Sequence, residues 1–313
     1  MKINTPYSMI LPGLITVLLV LLFSTTATAE LKASYMYSFS NFTGKIPLSW
    51  SVLSADRERG EIYAVYQGAV SVFNATGMEI YRFGDGGALG NIIDVAVERD
   101  GNILVLTNGG TSHVVLRCNY RGEQVETVEL KGVPAEFSLR PQRLVSWNGY
   151  LYLADLAKRI VIVTDARGSF VQGYNVGAFF TAEEKPNEEN EIAGFNVDRD
   201  GNILFTVSTL FKAFRLTRDN GLQSFGGAGN IPGMFNLVGA ITSDDKGFIY
   251  VADVLKSVVM IFDKDLKFQM QFGYRGEGRD NLVVPMHIAV IRDKIFVNQA
   301  RNRGVSIFRL TDS

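Results

Sequence analysis

The sequence predicts an all-β protein, a six-bladed β-propeller of four-stranded antiparallel blades whose last blade is closed by the N-terminal strand. Three observations carry this prediction. One turn motif recurs six times at a regular period, each copy is flanked by the same order of short apolar strands, and the strand missing at the C-terminal end is found near the N-terminus. Composition agrees: of 313 residues, 47% are hydrophobic, only 20% are charged, and 31 are glycine, which suits a chain with a sizeable core and many turns.

The chain opens with Lys2, an apolar run from Ile10 to Phe23 interrupted by Pro12 and Gly13, and a small, polar stretch ending in Ala27 and Ala29. This order reads as a secretory signal peptide over residues 1–29, cleaved before Glu30, leaving 30–313 as a single propeller domain. The apolar run is shorter than the roughly 20 residues needed to span a bilayer. An exported protein, periplasmic or extracellular and without stable membrane insertion, is therefore expected, with an uncleaved anchor as the competing reading.

Next comes a strand in which Leu31, Ala33, Tyr35, Tyr37 and Phe39 alternate with Lys32, Ser34, Met36 and Ser38, the period of a half-buried strand. The turn motif follows. Asp100-Gly101-Asn102-Ile103-Leu104 recurs letter for letter as Asp200-Gly201-Asn202-Ile203-Leu204. Looser copies start at Arg59, Asn148, Lys246 and Arg292, and the spacings of 41, 48, 52, 46 and 46 residues mark six hairpins with two-residue turns. A short strand precedes each turn (Val95-Ala96-Val97, Phe195-Asn196-Val197), and a second and third follow it. A fourth often ends in Phe-Gly, as at Phe83-Gly84, Phe225-Gly226 and Phe272-Gly273. The unbroken apolar character of the middle strands, such as Val258 to Phe262, implies burial on both faces, between neighbouring blades. After the sixth hairpin only Val305 to Leu310 remains, so the alternating strand at Leu31 is expected to complete that blade and remove its open edge.

The repeat resembles the NHL family of propellers. The likeness is clearest from Pro232 to Gly276, where Ile249-Tyr250-Val251-Ala252-Asp253 is followed by Val258 to Phe262 and then Phe272-Gly273. It returns at Leu151-Tyr152-Leu153-Ala154-Asp155. The resemblance implies that Asp155 and Asp253 satisfy backbone groups of the next turn. It implies no single activity. Enzymes with this fold use several histidines on zinc, a carboxylate and amide cluster on calcium, or a catalytic histidine with a metal. Only His113 and His287 are present here, and by position His287 alone could serve the last.

Propellers bind at the mouth of the central channel, where the first strand of each blade begins. Counting back from the turn glycines places Trp50, Asp94, Arg143, Gly194, Ala240 and His287 in this ring, with Ser49 and Ser51 as alternatives to Trp50. Arg143 and His287 could hold an anion, with Asp94 as counter-charge. The same residues can also pair or sit in water. His113 is expected on the surface without a partner, and Cys118 as a small core residue. An acidic insertion carrying Glu183, Glu184, Glu188, Glu189 and Glu191 reads as a solvated loop.

One cysteine excludes a disulfide framework and multi-cysteine metal sites. A net charge of -1 argues against nucleic acid as the partner. The function expected is that of a non-enzymatic binding or scaffolding module for another exported protein, with no cofactor and no metal. The competing reading is a metal-assisted lyase or hydrolase working at the channel mouth. A third is a carbohydrate binder using Trp50, Trp147 or Tyr174 as a stacking platform.

Overall fold

The computed structural model describes residues 1–2, 30–41, 43–46, 48–110, 112–180 and 190–312. Apart from its first two residues, the expected signal peptide lies outside the described residues, as does residues 181–189 of the acidic insertion. Six four-stranded antiparallel sheets follow one another along the chain as blades 1 to 6. Their first strands, Val52–Asp56, Asn91–Val97, Arg143–Trp147, Gly194–Val197, Val238–Ser243 and Pro285–Ile291, stand innermost around a central channel. Among the described residues, no helix is long and apolar enough to cross a membrane.

The middle strands are apolar throughout because each of their two faces meets a different neighbour. In blade 4, Ile203, Phe205 and Val207 pack against blade 3, while Leu204 between them packs against blade 5. In blade 5, Ile249 and Val251 face blade 4, and Tyr250 and Ala252 face blade 6. The apolar interior is thus divided into six clusters, one at each seam between blades.

Blade 6 is closed as the sequence predicts. The strand Leu31–Ser38 pairs antiparallel with Gly304–Asp312, so the sheet joins the two ends of the described chain. Its alternation is broken by a bulge between Tyr35 and Tyr37, which leaves Met36 packed against the same seam as Tyr37. Phe39 then crosses to blade 1. Its N–H donates to the Val305 carbonyl at 2.9 Å, and its ring stacks on Phe73 with centroids 3.9 Å apart.

Turn chemistry repeats with the blades. Asn74, Asn119, Asp165, Asp198, Asp244 and Asp263 each accept, on one side-chain oxygen, the backbone N–H groups two and four residues on. The first-to-second-strand turns are not all of the two-residue kind expected. Asn148-Gly149 and Arg292-Asp293 are, since Trp147 pairs with Tyr150 and Ile291 with Lys294. In blades 2, 4 and 5 the loop has three residues and ends in a glycine at positive φ (Gly101, Gly201 and Gly247), closed by bonds such as Glu98 N–H to the Asn102 carbonyl. Glycine serves both turn types for the same reason, so the motif marks hairpins without fixing their length.

Phe308 is 1% exposed and its ring meets Tyr35 of the closing strand and Phe272 of blade 5. Phe308→Ala is expected to lower unfolding free energy by about 3–5 kcal/mol in denaturant titrations. Deleting residues 31–38 should cost more and produce aggregation through the freed edge of Gly304–Asp312, read by light scattering.

Candidate functional site

The inner strands hydrogen-bond to the second strand of their own blade, which leaves their other backbone edge facing the channel. Unpaired backbone groups there need partners. Two side chains supply them across seams, and a third bridges a seam to another side chain. Asp94 of blade 2 accepts the Leu144 N–H of blade 3 on Oδ2 and the N–H of Val95 on Oδ1, both at 2.9 Å. His287 of blade 6 accepts the Leu53 N–H of blade 1 on Nδ1 at 3.2 Å, which places its hydrogen on Nε2. Asn196 of blade 4 donates to the Thr242 hydroxyl of blade 5 at 2.9 Å.

Bulges aim two of these groups. The register shifts between Ile92 and Asp94 and between Pro285 and His287, so each side chain follows one extra residue in its strand. Arg143 completes the set. Its guanidinium donates to the Gln142 carbonyl at 3.0 Å and, among the described residues, forms no ion pair. Its charge reaches both neighbours. Burial raises the Asp94 carboxyl to about 6 against the pull of Arg143 and of the two N–H groups. Burial, reinforced by Arg143, lowers the His287 imidazole to about 3.

The channel holds about 730 Å³ and runs from these residues to the first-to-second-strand turns. At that end, Arg57 of blade 1 passes blade 6 to reach blade 5, pairing with Asp245 at 2.7 Å and donating to the Ser243 carbonyl. Arg99 pairs with Glu58, and Arg199 donates to the Asp245 carbonyl at 2.7 Å. Sequence reasoning missed this charged rim. The signal was in the repeat itself, because Arg99 and Arg199 hold the same place before the two identical Asp-Gly-Asn-Ile-Leu phrases.

Of the ring expected from the sequence, Asp94, Arg143 and His287 line the channel together. Gly194, Ala240 and Trp50 do not. Gly194 lies where a Cβ would strike the Gly239 carbonyl, because the inner strands of blades 4 and 5 approach closely there, and Ala240 packs into the seam of blades 5 and 6. Asn196 and Thr242 line the channel in those two blades. Trp50 precedes its strand at φ 61° and is 65% exposed, beside a second groove shared with Gln67, Arg301 and Asn302. Among the other aromatic candidates, Tyr174 is buried, and Trp147 packs on Tyr150 while its indole N–H donates to the Arg199 carbonyl.

His113 also departs from expectation, since it begins a third strand and has two partners in the neighbouring connection. Nε2 accepts from Arg140 Nε at 2.9 Å and Nδ1 lies 2.6 Å from the Pro141 carbonyl, which requires the neutral ring with hydrogen on Nδ1. Asp155 and Asp253 bind backbone N–H groups of the turn after them and of the connection before their blade. Cys118 is buried in the seam of blades 1 and 2, and burial pushes its thiol up to about 11. Among the described residues, no three of His, Cys, Asp and Glu gather closely enough to hold a metal ion.

The geometry defines a β-propeller with a polar channel, and solved structures agree on the fold. The chain superimposes on a protein of unknown function from Bacteroides thetaiotaomicron with a TM-score of 0.64 at 12% identity, over 90% of this chain and 77% of that one. It matches a streptogramin B lyase with a TM-score of 0.55 at 13% identity, over 92% and 90% of the two chains. For a gluconolactonase from Xanthomonas campestris the TM-score is 0.56 at 12% identity, over 91% of each. No family model and no curated protein matches the sequence. Likeness at such identity extends to the fold alone.

Acid stability tests the electrostatics of the channel. The unfolded imidazole takes its proton near the ordinary 6.5 and the folded one only near 3, so His287 removes stability as pH falls below about 6.5. Asp94 acts oppositely: its folded carboxyl is protonated below about 6 while the unfolded one stays charged down to 3.8, so acidification through that window favours the fold. Between pH 7 and pH 5, the stability advantage of the protein over a His287→Asn variant should shrink by about 2 kcal/mol in denaturant melts. Its advantage over Asp94→Asn should grow by about 1 kcal/mol across the same interval.

Proposed function

We propose that the protein is an exported, NHL-type propeller that acts without catalysis, as a binding module for another exported protein in the periplasm or outside the cell. The observation that carries this reading is the use of the channel's reactive groups. Oδ2 of Asp94 and Nδ1 of His287 accept backbone N–H groups across blade seams, and Oδ1 of Asp94 accepts the Val95 N–H of its own strand, so both side chains are committed to the main chain of the ring. Exposed apolar residues support it further. Ile231, Leu255 and Tyr274 are exposed on neighbouring connections, held together by Lys256, whose ammonium donates to the Ile231 and Met234 carbonyls, and by the Tyr274 N–H on the Ser257 carbonyl.

The alternative, a metal-assisted lyase or hydrolase, draws on Arg143, a guanidinium in the channel with no carboxylate partner among the described residues. Exported proteins captured on the immobilised protein and identified by mass spectrometry should be lost when Ile231, Leu255 and Tyr274 are all replaced by serine. The same set should be retained by Arg143→Met. Turnover of lactone or streptogramin substrates that requires a divalent ion and vanishes in Arg143→Met would overturn the non-enzymatic reading.

A further inference from the structure

We propose that the groove at the seam of blades 6 and 1 binds an acidic saccharide, with Trp50 as the stacking platform and Arg301 as the carboxylate contact. The groove holds about 760 Å³ and shares no lining residue with the channel. Its walls come from the connection into blade 1 (Ser49, Trp50), the connection into blade 6 (Val284) and the second-to-third-strand turns of both blades (Gln67; Arg301, Asn302).

Backbone conformation singles this place out. Five of its eight lining residues, Trp50, Gln67, Val284, Arg301 and Asn302, have φ between 50° and 61°, and none is glycine. Left-handed backbone is unfavourable for an L-residue, and for β-branched Val284 it is a genuine outlier. Arg301 and Asn302 are the two central residues of a turn closed by the Arg303 N–H on the Ala300 carbonyl. Two positive φ values in succession make this the turn type for which Asn-Gly is strongly preferred. Arg-Asn makes the same turn with more strain, so what the sequence retains there is a pair of side chains. Strain concentrated in a groove is characteristic of ligand sites.

The chemistry presented is that of a sugar site. Trp50 is 65% exposed. Among the described residues, its indole N–H, the Gln67 amide and the Arg301 guanidinium have no hydrogen-bond partner. Ser49 Oγ donates to Asn302 Oδ1 at 3.1 Å and accepts the Asn302 N–H, which fixes that turn and leaves the amide nitrogen free. A pyranose offers its C–H face to an indole and its hydroxyls to planar amides, and a uronate carboxylate matches a guanidinium in paired hydrogen bonds. Basic residues stand nearby: Lys45 lies against Gly304, and burial, reinforced by the Arg303 guanidinium that pairs with Glu277, lowers the Lys45 ammonium. An acidic peptide would use Arg301 but gain little from the flat face of Trp50.

The test is a fluorescence and calorimetric titration of the folded protein with oligosaccharides of galacturonate, mannuronate and glucuronate, their methyl esters, and an oligoglutamate peptide. At least one uronate should bind and quench tryptophan emission, its ester should bind about tenfold more weakly, and Trp50→Ala should abolish binding while Trp147→Phe leaves it intact. The double variant Arg301→Asn with Asn302→Gly should melt a few degrees higher, because its turn is relieved, and bind the uronate at least tenfold more weakly. Failure of every uronate at millimolar concentration, binding of the peptide alone, or binding unchanged in Trp50→Ala would overturn the proposal.

Discussion

The pairing of Leu31–Ser38 with Gly304–Asp312 is the contact on which every other interface depends. The apolar interior has no common centre. It consists of six seams, and each blade contributes alternate residues of its middle strands to the seams on either side. A ring of this kind tolerates no opening: parting blades 6 and 1 would expose the stacked pair Phe39–Phe73 and leave the outer edge of Gly304–Asp312 without a partner. Closure by strand pairing replaces that open edge with a continuous ladder, and Phe39 then ties the completed blade to blade 1.

The channel faces the complementary difficulty, which is polar. Inner strands leave backbone groups unpaired toward the axis; Asp94 and His287 answer by reaching across seams to them, while Asn196 accepts the Val197 N–H of its own strand and reaches the Thr242 hydroxyl of blade 5. This explains why the wall contains a carboxylate and an imidazole whose ionisation is displaced in opposite directions by the same burial. Displaced pKa values gather at catalytic sites but also at structural hydrogen bonds. Here the hydrogen-bond partners of both residues are main-chain N–H groups. Arg143 differs from them in donating to a carbonyl, that of Gln142, and in forming no ion pair among the described residues.

The fold was legible because its signals are local and repeated. Alternation, glycine at positive φ and doubly buried middle strands recur often enough to reveal the blade and its period, and the alternating strand at Leu31 showed how the ring closes. Channel register was only half legible. Counting from a turn assumes straight strands, whereas bulges near Ile93 and Met286 shift the residues beyond them and the inner strand of blade 4 has no such bulge. Asp94 and His287 were found, and Gly194 and Ala240 were named where Asn196 and Thr242 stand. The position of Trp50 depends on a left-handed backbone before its strand, which no pattern of residue types announced. The two partners of His113 come from a connection almost thirty residues further along the chain, a tertiary contact that local patterns do not announce.

Blade closure also sets an order in time. Blades 1 to 5 are each built from strands adjacent in the chain, so each can form its hairpins as soon as its own segment is available. Blade 6 cannot. Tyr35 meets Phe308, and the loop between them contains the other five blades. The earliest strand of the propeller must therefore wait, unpaired and half apolar, until the rest of the ring has been assembled, and the step that completes the fold is the docking of its beginning onto its end. Chaperones that cover exposed strands would be needed at that segment for longer than at any other.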